Sequence, residues 1–286
     1  MGQETLLDKI SDELLIKLAI LEDVGSDDVT TSSILVSIPD RVVKAKIVAK
    51  ENLIIAGLEL FEMVFKYIDS SIKIISSKID GDFCKKGTTI LNIEGNFSSI
   101  LKGERVALNI LQHLSGIATN TFNIISHIGH TKIKILDTRK TIPLWRKWQK
   151  YAVRVGGGYN HRFGLYDMFL IKENHISVAG SITKAVELAK SYNHDLLIEV
   201  EVKNMKEVKE AVKTKADIIM LDNMDYKEIK KAVKYIRENS DKKIEVSGNM
   251  DIKKIKKIKK IDIDYVSMGS LTHSVKASDI SLIIDL

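Results

Sequence analysis

The rhythm of apolar and polar positions changes near residue 130. Before it the pattern is mixed. Residues 4–22, "ETLLDKISDELLIKLAILE", set leucines and isoleucines at helical spacing, which predicts an amphipathic helix. "DVGSDDVTTSSILV" reads as a loop. "RVVKAKIVAKENLIIAG" alternates and then turns wholly apolar, predicting strands that end at Gly57. "LELFEMVFKYI" predicts a helix. "SIKIISSKIDGDFCKKGTTILNIEGN" predicts short strands with turns at Asp80-Gly81 and Gly95-Asn96. Residues 98–128 then predict a long connecting helix.

Beyond residue 130, apolar runs of strand length recur: "KIKIL", "MFLI", "LLIEVEV", "DIIML", "KIEV" and "DYVSM". Helical stretches such as "VAGSITKAVELAKSY" and "YKEIKKAVKYIRENS" separate them. Strands that are apolar on both faces and alternate with helices predict a parallel sheet covered by helices. About six such repeats suit a closed or nearly closed barrel, with an open doubly wound sheet as the alternative. The fold class expected is α/β: an N-terminal α/β sandwich domain plus a C-terminal β/α barrel-like domain.

Composition narrows the function classes. The chain has 286 residues, 44% of them hydrophobic, enough for a sizeable core. Lys and Arg total 44 against 38 Asp and Glu, a formal charge of +6 that suits anionic metabolites or nucleic acid. Aromatic residues are only 6%, few for stacking on single strands. The basic run "DIKKIKKIKKI" carries Ile252, Ile255, Ile258 and Ile261 at intervals of three. It therefore reads as a helix with one buried face and solvated lysines. The one cysteine, Cys84, has no partner for an internal disulfide and reads as inert. The N-terminus lacks the basic and apolar blocks of a signal peptide, and no stretch of 18 apolar residues is present. A cytoplasmic protein with neither membrane nor nucleic acid as partner is expected.

Chemistry-bearing residues gather where the predicted strands end, which is where barrel enzymes place their sites. The first strand leads to Arg139 and Lys140, the second to Lys172, Asn174 and His175. Glu201, then Asp222 and Asn223, end the next two. Ser247, Gly248 and Asn249 follow the fifth, Gly269 and Ser270 the sixth. Cations come first, carboxylates next and small polar turns last. The arginines and lysines, with His161 and Arg162 on an intervening loop, suit a substrate rich in carboxylates or phosphates. Glu201 and Asp222 are hard oxygen donors of the kind that hold magnesium with substrate phosphate. The two small turns expose backbone N–H groups for a phosphate. Gly156, Gly157 and Gly158 follow a predicted helix, so they read as a close-approach loop and not a dinucleotide fingerprint. His113, His127 and His130 read as structural or surface histidines. Trp145 and Trp148 read as packing in a helix whose first turn is set by Pro143.

These residues carry a resemblance that runs nearly the whole chain. "EDVGSDDVTT" (22–31), "GERVALNILQHLSGIAT" (103–119), "DTRKT" (137–141), "KYAVRVGGGYNHRFGLYD" (150–167), "LIKENH" (170–175), "EVE" (199–201), "LDN" (221–223), "EVSGN" (245–249) and "SMGSLTHS" (267–274) stand in the order of the quinolinate phosphoribosyltransferase family. The sequence resembles that family. The resemblance implies conversion of quinolinate and phosphoribosyl pyrophosphate to nicotinate mononucleotide, pyrophosphate and CO2, with Mg2+, in NAD biosynthesis. It implies an N-terminal domain over 1–105 joined by 275–286, and a barrel over 106–274. It also implies a homodimer with shared active sites, with assembly beyond the dimer left open.

Site roles follow from the same resemblance. Arg105 from a partner chain, Arg139, Lys140, His161, Arg162 and Lys172 would surround quinolinate. Glu201 and Asp222 would face metal and ribose. Ser247, Gly248, Asn249, Gly269 and Ser270 would hold phosphate, with His273 nearby. Lys140, Glu201 and Asp222 are the expected catalytic residues. One departure stands out: "TIPLWR" (141–146) replaces the family's usual threonine-threonine-proline-glycine run. A paralogue from molybdenum-transport operons also carries "TIP" and is the alternative, with a different acceptor. A non-catalytic nucleic-acid module is the alternative outside enzymes, but it has no use for two carboxylates at strand ends.

Overall fold

Ser11 caps the first helix: its side chain accepts the Leu14 N–H at 3.1 Å, and Asp12 and Glu13 fill the first turn. The computed structural model describes residues 10–285, so the part of the predicted helix before residue 10 lies outside the described residues. This helix, α1, runs Asp12–Val24 and buries Ile16 and Ile20. The next segment differs from the loop expected. Val29–Leu35 forms a short helix, α2, because Asp28 accepts the Thr31 N–H at 3.1 Å and satisfies one of the donors left open at a helix start.

Strands β1 (Val42–Ala49) and β2 (Leu53–Ile54) lead to helix α3 (Leu58–Ile68), which buries Leu60, Phe61, Val64 and Phe65 along one stripe. The Asp80 carboxylate closes the start of α3, accepting the Gly57 N–H at 2.8 Å and the Leu58 N–H at 3.1 Å. Strands β3 (Lys73–Ser76), β4 (Phe83–Cys84) and β5 (Thr89–Asn96) follow. The turn expected at Gly95-Asn96 does not form: β5 runs straight into α4 (Phe97–Ile128).

After α4 the six apolar runs appear as strands, each with the helix that follows it. They are β6 (Lys134–Leu136), then α5 (Arg146–Val155); β7 (Phe169–Ile171), then α6 (Glu173–Ala179) and α7 (Ile182–Tyr192); β8 (Ile198–Val202), then α8 (Met205–Val212); β9 (Ile218–Asp222), then α9 (Tyr226–Asn239); β10 (Lys243–Ser247), then α10 (Ile252–Ile258); and β11 (Tyr265–Ser267), then α11 (Ser270–His273). The last strand, β12 (Ile280–Asp285), pairs antiparallel with β1 from Lys44↔Asp285 to Ala49↔Ile280. It completes a four-stranded sheet of order β12-β1-β5-β3.

The chain divides into two compact units. One takes the chain up to Asn120, Lys147–Gly156 and the segment from Val275; the other takes Thr121–Arg146 and Gly157–Ser274. The division falls inside α4, where an unbroken helix offers no sequence signal for a boundary. Residues 147–156 go with the first unit because α5 is anchored there. Trp148 is buried and donates from Nε1 to Asp12 at 2.8 Å, and the Tyr151 hydroxyl donates to Asp80 at 2.7 Å. The helix begins at Arg146 and not at Pro143, because Leu144 takes a left-handed φ of 67° between them.

In the second unit six parallel strands lie in the order β6-β11-β10-β9-β8-β7. Neighbours in sequence are neighbours in space from β7 to β11, and the first strand, β6, pairs with the last. That is the cyclic order of a barrel, with the ladder open between β6 and β7. Side-chain caps start the outer helices: Ser181, Asn204, Asp225 and Asp251 each accept a backbone N–H three residues on. On α10, Ile255 and Ile258 are buried and the lysines lie outward, as the spacing predicts.

Candidate active site

Alternation along the strands decides what faces the barrel interior. On β8, Ile198, Val200 and Val202 are buried toward the helices, which leaves Glu199 and Glu201 on the opposite face. On β10 the same alternation sets Glu245 and Ser247 together. The register matches Ser247 with Asp222 and Glu201 with Met220 across the sheet. The strand ends therefore open on a cavity of about 730 Å³, and Glu199 and Glu245 lie one layer deeper.

The cavity brings together the predicted substrate, metal and phosphate residues of the second unit, but not Asn174 and His175, which line a separate pocket beside β7. Arg139 and Lys140 follow β6, His161 and Arg162 come from the loop before β7, and Lys172 follows β7. Glu201 and Asp222 end β8 and β9, while Ser247, Gly248, Asn249, Gly269 and Ser270 line the side beyond β10 and β11, with His273 beside them. Arg105 is not among the lining residues: it lies on α4 in the first unit, more than half exposed, with Glu104 3.9 Å away.

Local bonds hold the cationic side in place. The buried Asp137 accepts the His161 N–H at 2.9 Å and the Asn160 side chain at 2.5 Å. This ties the loop to β6. Arg146 donates to Thr141 Oγ1 at 3.0 Å and to the Phe163 carbonyl at 2.9 Å, joining the two loops that flank the cavity. Thr272 Oγ1 donates to the Lys140 carbonyl at 2.8 Å. Burial first, and the neighbouring Arg139 guanidinium second, depress the pKa of Arg162. Arg139 Nε and Arg162 Nε are both buried without a hydrogen-bond partner. Unpaired buried donors on two adjacent cations are costly unless an anion completes them.

The anionic side divides into two layers. In the upper one, Lys172 Nζ lies 3.2 Å from Glu201 Oε2, and Asn223 Nδ2 donates to Asp222 Oδ2 at 2.9 Å. In the deeper one, His161 Nε2 stands 2.9 Å from Glu199 Oε2 and 3.5 Å from Glu245 Oε2. Burial raises the Glu199 pKa to about 7. Burial and the facing Glu199 raise that of Glu245 to about 8. Glu199 Oε1 and Glu245 Oε1 are buried without a hydrogen-bond partner.

Neither deep carboxylate is singled out in the sequence reading as a site residue. The signal is the spacing: each is an acid two residues before a strand-end polar group, on the inward face of an otherwise apolar strand. With His161 they make a trio whose ligand atoms all lie within 4.8 Å. The Arg162 N–H donates to His161 Nδ1 at 2.7 Å, so the ring carries its proton on Nε2 and does not offer that atom to a metal. Both ring nitrogens are thereby turned to the protein. His161 shapes the cavity floor and anchors Arg162. Glu201 and Asp222, two hard oxygen donors on neighbouring strands beside small phosphate-sized turns, are the pair whose chemistry fits Mg2+.

Two of the histidines set aside in sequence have polar neighbours in the structure. His113 Nε2 lies 2.6 Å from Gln149 Nε2, and His127 Nδ1 lies 2.6 Å from the Asn123 carbonyl. Cys84 is buried, and burial raises its thiol pKa. After the glycine run, Tyr159 makes a parallel bridge to Leu136, extending the sheet beyond β6.

A parallel β/α barrel with cations, carboxylates and phosphate-sized turns at its strand ends defines an enzyme that handles polyanionic substrates. The chain belongs to the quinolinate phosphoribosyltransferase family: the family's N-terminal domain profile matches residues 28–115 and its C-terminal domain profile residues 117–283. A probable nicotinate-nucleotide pyrophosphorylase (carboxylating) of Bacillus subtilis is 42% identical over 93% of this chain and 91% of its own length. A probable enzyme of the same name from Methanocaldococcus jannaschii is 43% identical over 94% of this chain and 95% of its own length. The crystal structure of NadC from Streptococcus pyogenes superposes with a TM-score of 0.89, at 43% identity, covering 95% of this chain and 96% of that one. The nicotinate-nucleotide pyrophosphorylase structure from Francisella tularensis gives 0.91 at 40% identity with both chains fully covered. These relatives do not favour the molybdenum-operon paralogue. Among the described residues, no helix is long and apolar enough to cross a membrane.

Proposed function

We propose that this chain transfers the phosphoribosyl group of phosphoribosyl pyrophosphate to the ring nitrogen of quinolinate, with loss of the 2-carboxylate as CO2, in NAD biosynthesis. The observation that carries the reading is a pair of half-buried arginines, Arg139 and Arg162, whose buried Nε donors lack partners in a cavity that also holds Lys140 and Lys172. A pyridine dicarboxylate supplies two anions to such a cluster. Its two carboxylates would sit among these four cations, and contacts to the half-buried arginines are stronger than the same contacts in water.

The donor would lie on the other side. Ser247, Gly248, Gly269 and Ser270 offer backbone and hydroxyl donors to its 5-phosphate, and Glu201 and Asp222 face the ribose. Mg2+, held by the same two acids, would neutralise charge on the departing pyrophosphate. As the bond to pyrophosphate lengthens, the ribose carbon gains oxocarbenium character, which the two carboxylates stabilise. The ring nitrogen, fixed by the cation cluster, then bonds to that carbon. The cationic ring nitrogen stabilises the electron pair left on C2 when the 2-carboxylate leaves as CO2, and that carbon then takes up a proton from solvent. No covalent bond to the protein is needed. We place the protein in the cytoplasm and infer a homodimer in which Arg105 of one chain reaches the acceptor site of the other.

The test is incubation of the full chain with carboxyl-labelled quinolinate, the phosphoribosyl donor and Mg2+. Labelled CO2 and nicotinate mononucleotide should form in equal amounts and only with all three present. Nicotinate, which lacks the 2-carboxylate, should be a far poorer acceptor because it leaves part of the cation cluster, with its buried Nε donors, unpaired. Comparable turnover of the two acids would overturn the assignment.

A further inference from the structure

Asn223 stands at the end of β9 with a left-handed φ of 54°, a conformation that costs most L-residues energy. Three contacts hold it there. Its N–H donates to the Ser247 carbonyl at 3.1 Å, which joins it to the end of β10. Its Nδ2 donates to Asp222 Oδ2 at 2.9 Å. Its Oδ1 packs against Gly248 so closely that a methyl group built there would stand 2.3 Å from that oxygen and 2.7 Å from the Asn223 nitrogen. Gly248 itself has a φ of 98°. The amide cannot be turned round without setting Oδ1 against a carboxylate oxygen, so its direction is fixed by the network.

A plain turn explains the left-handed φ of an exposed asparagine. It does not explain why the side chain is spent on Asp222, nor why the next strand's turn is cut back to glycine to make room for it. We propose that Asn223 is a positioning residue: it aims the Asp222 carboxylate and, through Gly248, locks that carboxylate to the turn that takes the donor's phosphate. The inference rests on the reading of Asp222 and the 247–249 turn as the donor half of the site. With Oδ2 committed to the amide, Asp222 keeps Oδ1 for the cation or a ribose hydroxyl. Groups that orient a metal's carboxylate in this way commonly contribute about 10–100-fold to its affinity.

The experiment is a titration of the full chain with Mn2+ in the presence of phosphoribosyl pyrophosphate, read from the electron paramagnetic resonance of free Mn2+. Asn223→Ala should weaken Mn2+ binding by about 10-fold or more. Quinolinate affinity measured without donor should stay within about twofold, because the four cations do not touch Asn223. Gly248→Ala should produce a similar loss by displacing Asn223, and the double variant should lose less than the sum of the two, as coupled neighbours do. A purely structural role would weaken quinolinate and Mn2+ together. Unchanged Mn2+ binding in Asn223→Ala, or strictly additive losses, would overturn the proposal. If Asn223→Ala does not fold, Asn223→Gly, which tolerates the left-handed φ but lacks the amide, decides it by the same two affinities. Failure of the unaltered protein to bind Mn2+ with donor present would instead remove the donor-site reading, and this inference with it.

Discussion

Lys172 and Glu201 meet across two adjacent parallel strands, Nζ to Oε2 at 3.2 Å, so the cationic side of the cavity touches the anionic side at this ion pair. The Lys172 side chain is half exposed, and exposed pairs add little to stability, roughly 0–1 kcal/mol. The pair therefore belongs to the chemistry. Lys172→Ala should lower kcat/KM for quinolinate by roughly a hundredfold or more, the scale for removing a positioned charge, while thermal unfolding barely moves. Glu201→Ala and Asp222→Ala should show their losses most clearly across a magnesium titration. Wild-type rates in all three variants would show that the pair is ornamental.

The buried acids make stability depend on pH. An unfolded glutamate titrates near pH ~4.3. Glu199 and Glu245 are raised to about 7 and about 8, chiefly by burial. Between those limits the folded state holds protons that the unfolded chain has released, so unfolding free energy falls as pH rises. The contribution is complete below pH ~4.3 and gone once pH passes the folded values. The groups facing Glu245 are Glu199, which raises it, and His161 and Ser267, which lower it. Glu245→Gln should flatten the decline between about pH 5 and 8 by an amount on the order of 1–3 kcal/mol, and should be at least as stable as the parent at pH 8. Urea unfolding at a series of pH values measures this; an unaltered slope would mean that the proton sits elsewhere.

The barrel strands were legible because each is short, apolar and closed by polar residues, a pattern that survives without knowledge of neighbours. All six apolar runs became strands, and the cations and acids at their ends share one cavity. What stayed hidden depends on contacts distant in sequence. The open ladder between β6 and β7 is a pairing that fails to occur, and no local pattern records it. Helix α2 hides because its one strong signal is the Asp28 cap within a polar stretch. Glu199 and Glu245 were in view as letters, but an acid inside a strand-like run gains meaning only when alternation assigns it to the barrel interior. Asn223 reads as a strand end, while its role comes from Gly248 on the next strand.

Leu144 carries a cost that its sequence context already marks, since the family's usual run has glycine there. Its φ is 67°, and the residue is 59% exposed, so burial returns little. A left-handed L-residue costs roughly 1–2 kcal/mol, whereas glycine's extra chain entropy costs roughly 0.5–1 kcal/mol. Leu144→Gly should therefore stabilise the protein by about 0.5–1 kcal/mol, seen as a higher denaturation midpoint with unchanged steepness. A loss of stability would mean that the exposed leucine is covered by something in solution.

Arg105 supplies the sharpest test of how chains combine. It lies on α4 in the first unit and is absent from the lining of the cavity, yet family resemblance gives it a place beside quinolinate. If it serves a partner chain, a two-fold dimer has two equivalent composite sites. Arg105→Ala and Lys172→Ala should each be nearly inactive alone, because every site then lacks one cation. In a mixed dimer one site carries both lesions and the other carries neither. Random re-pairing makes about half the dimers mixed, so roughly a quarter of all sites become intact. Dissociating and re-pairing an equal mixture should restore about a quarter of the parent's activity, and the recovered sites should have the parent's KM for quinolinate. If Arg105 serves its own chain, every site keeps a lesion. A mixture that stays inactive after subunit exchange has been verified by mass would therefore exclude the shared site.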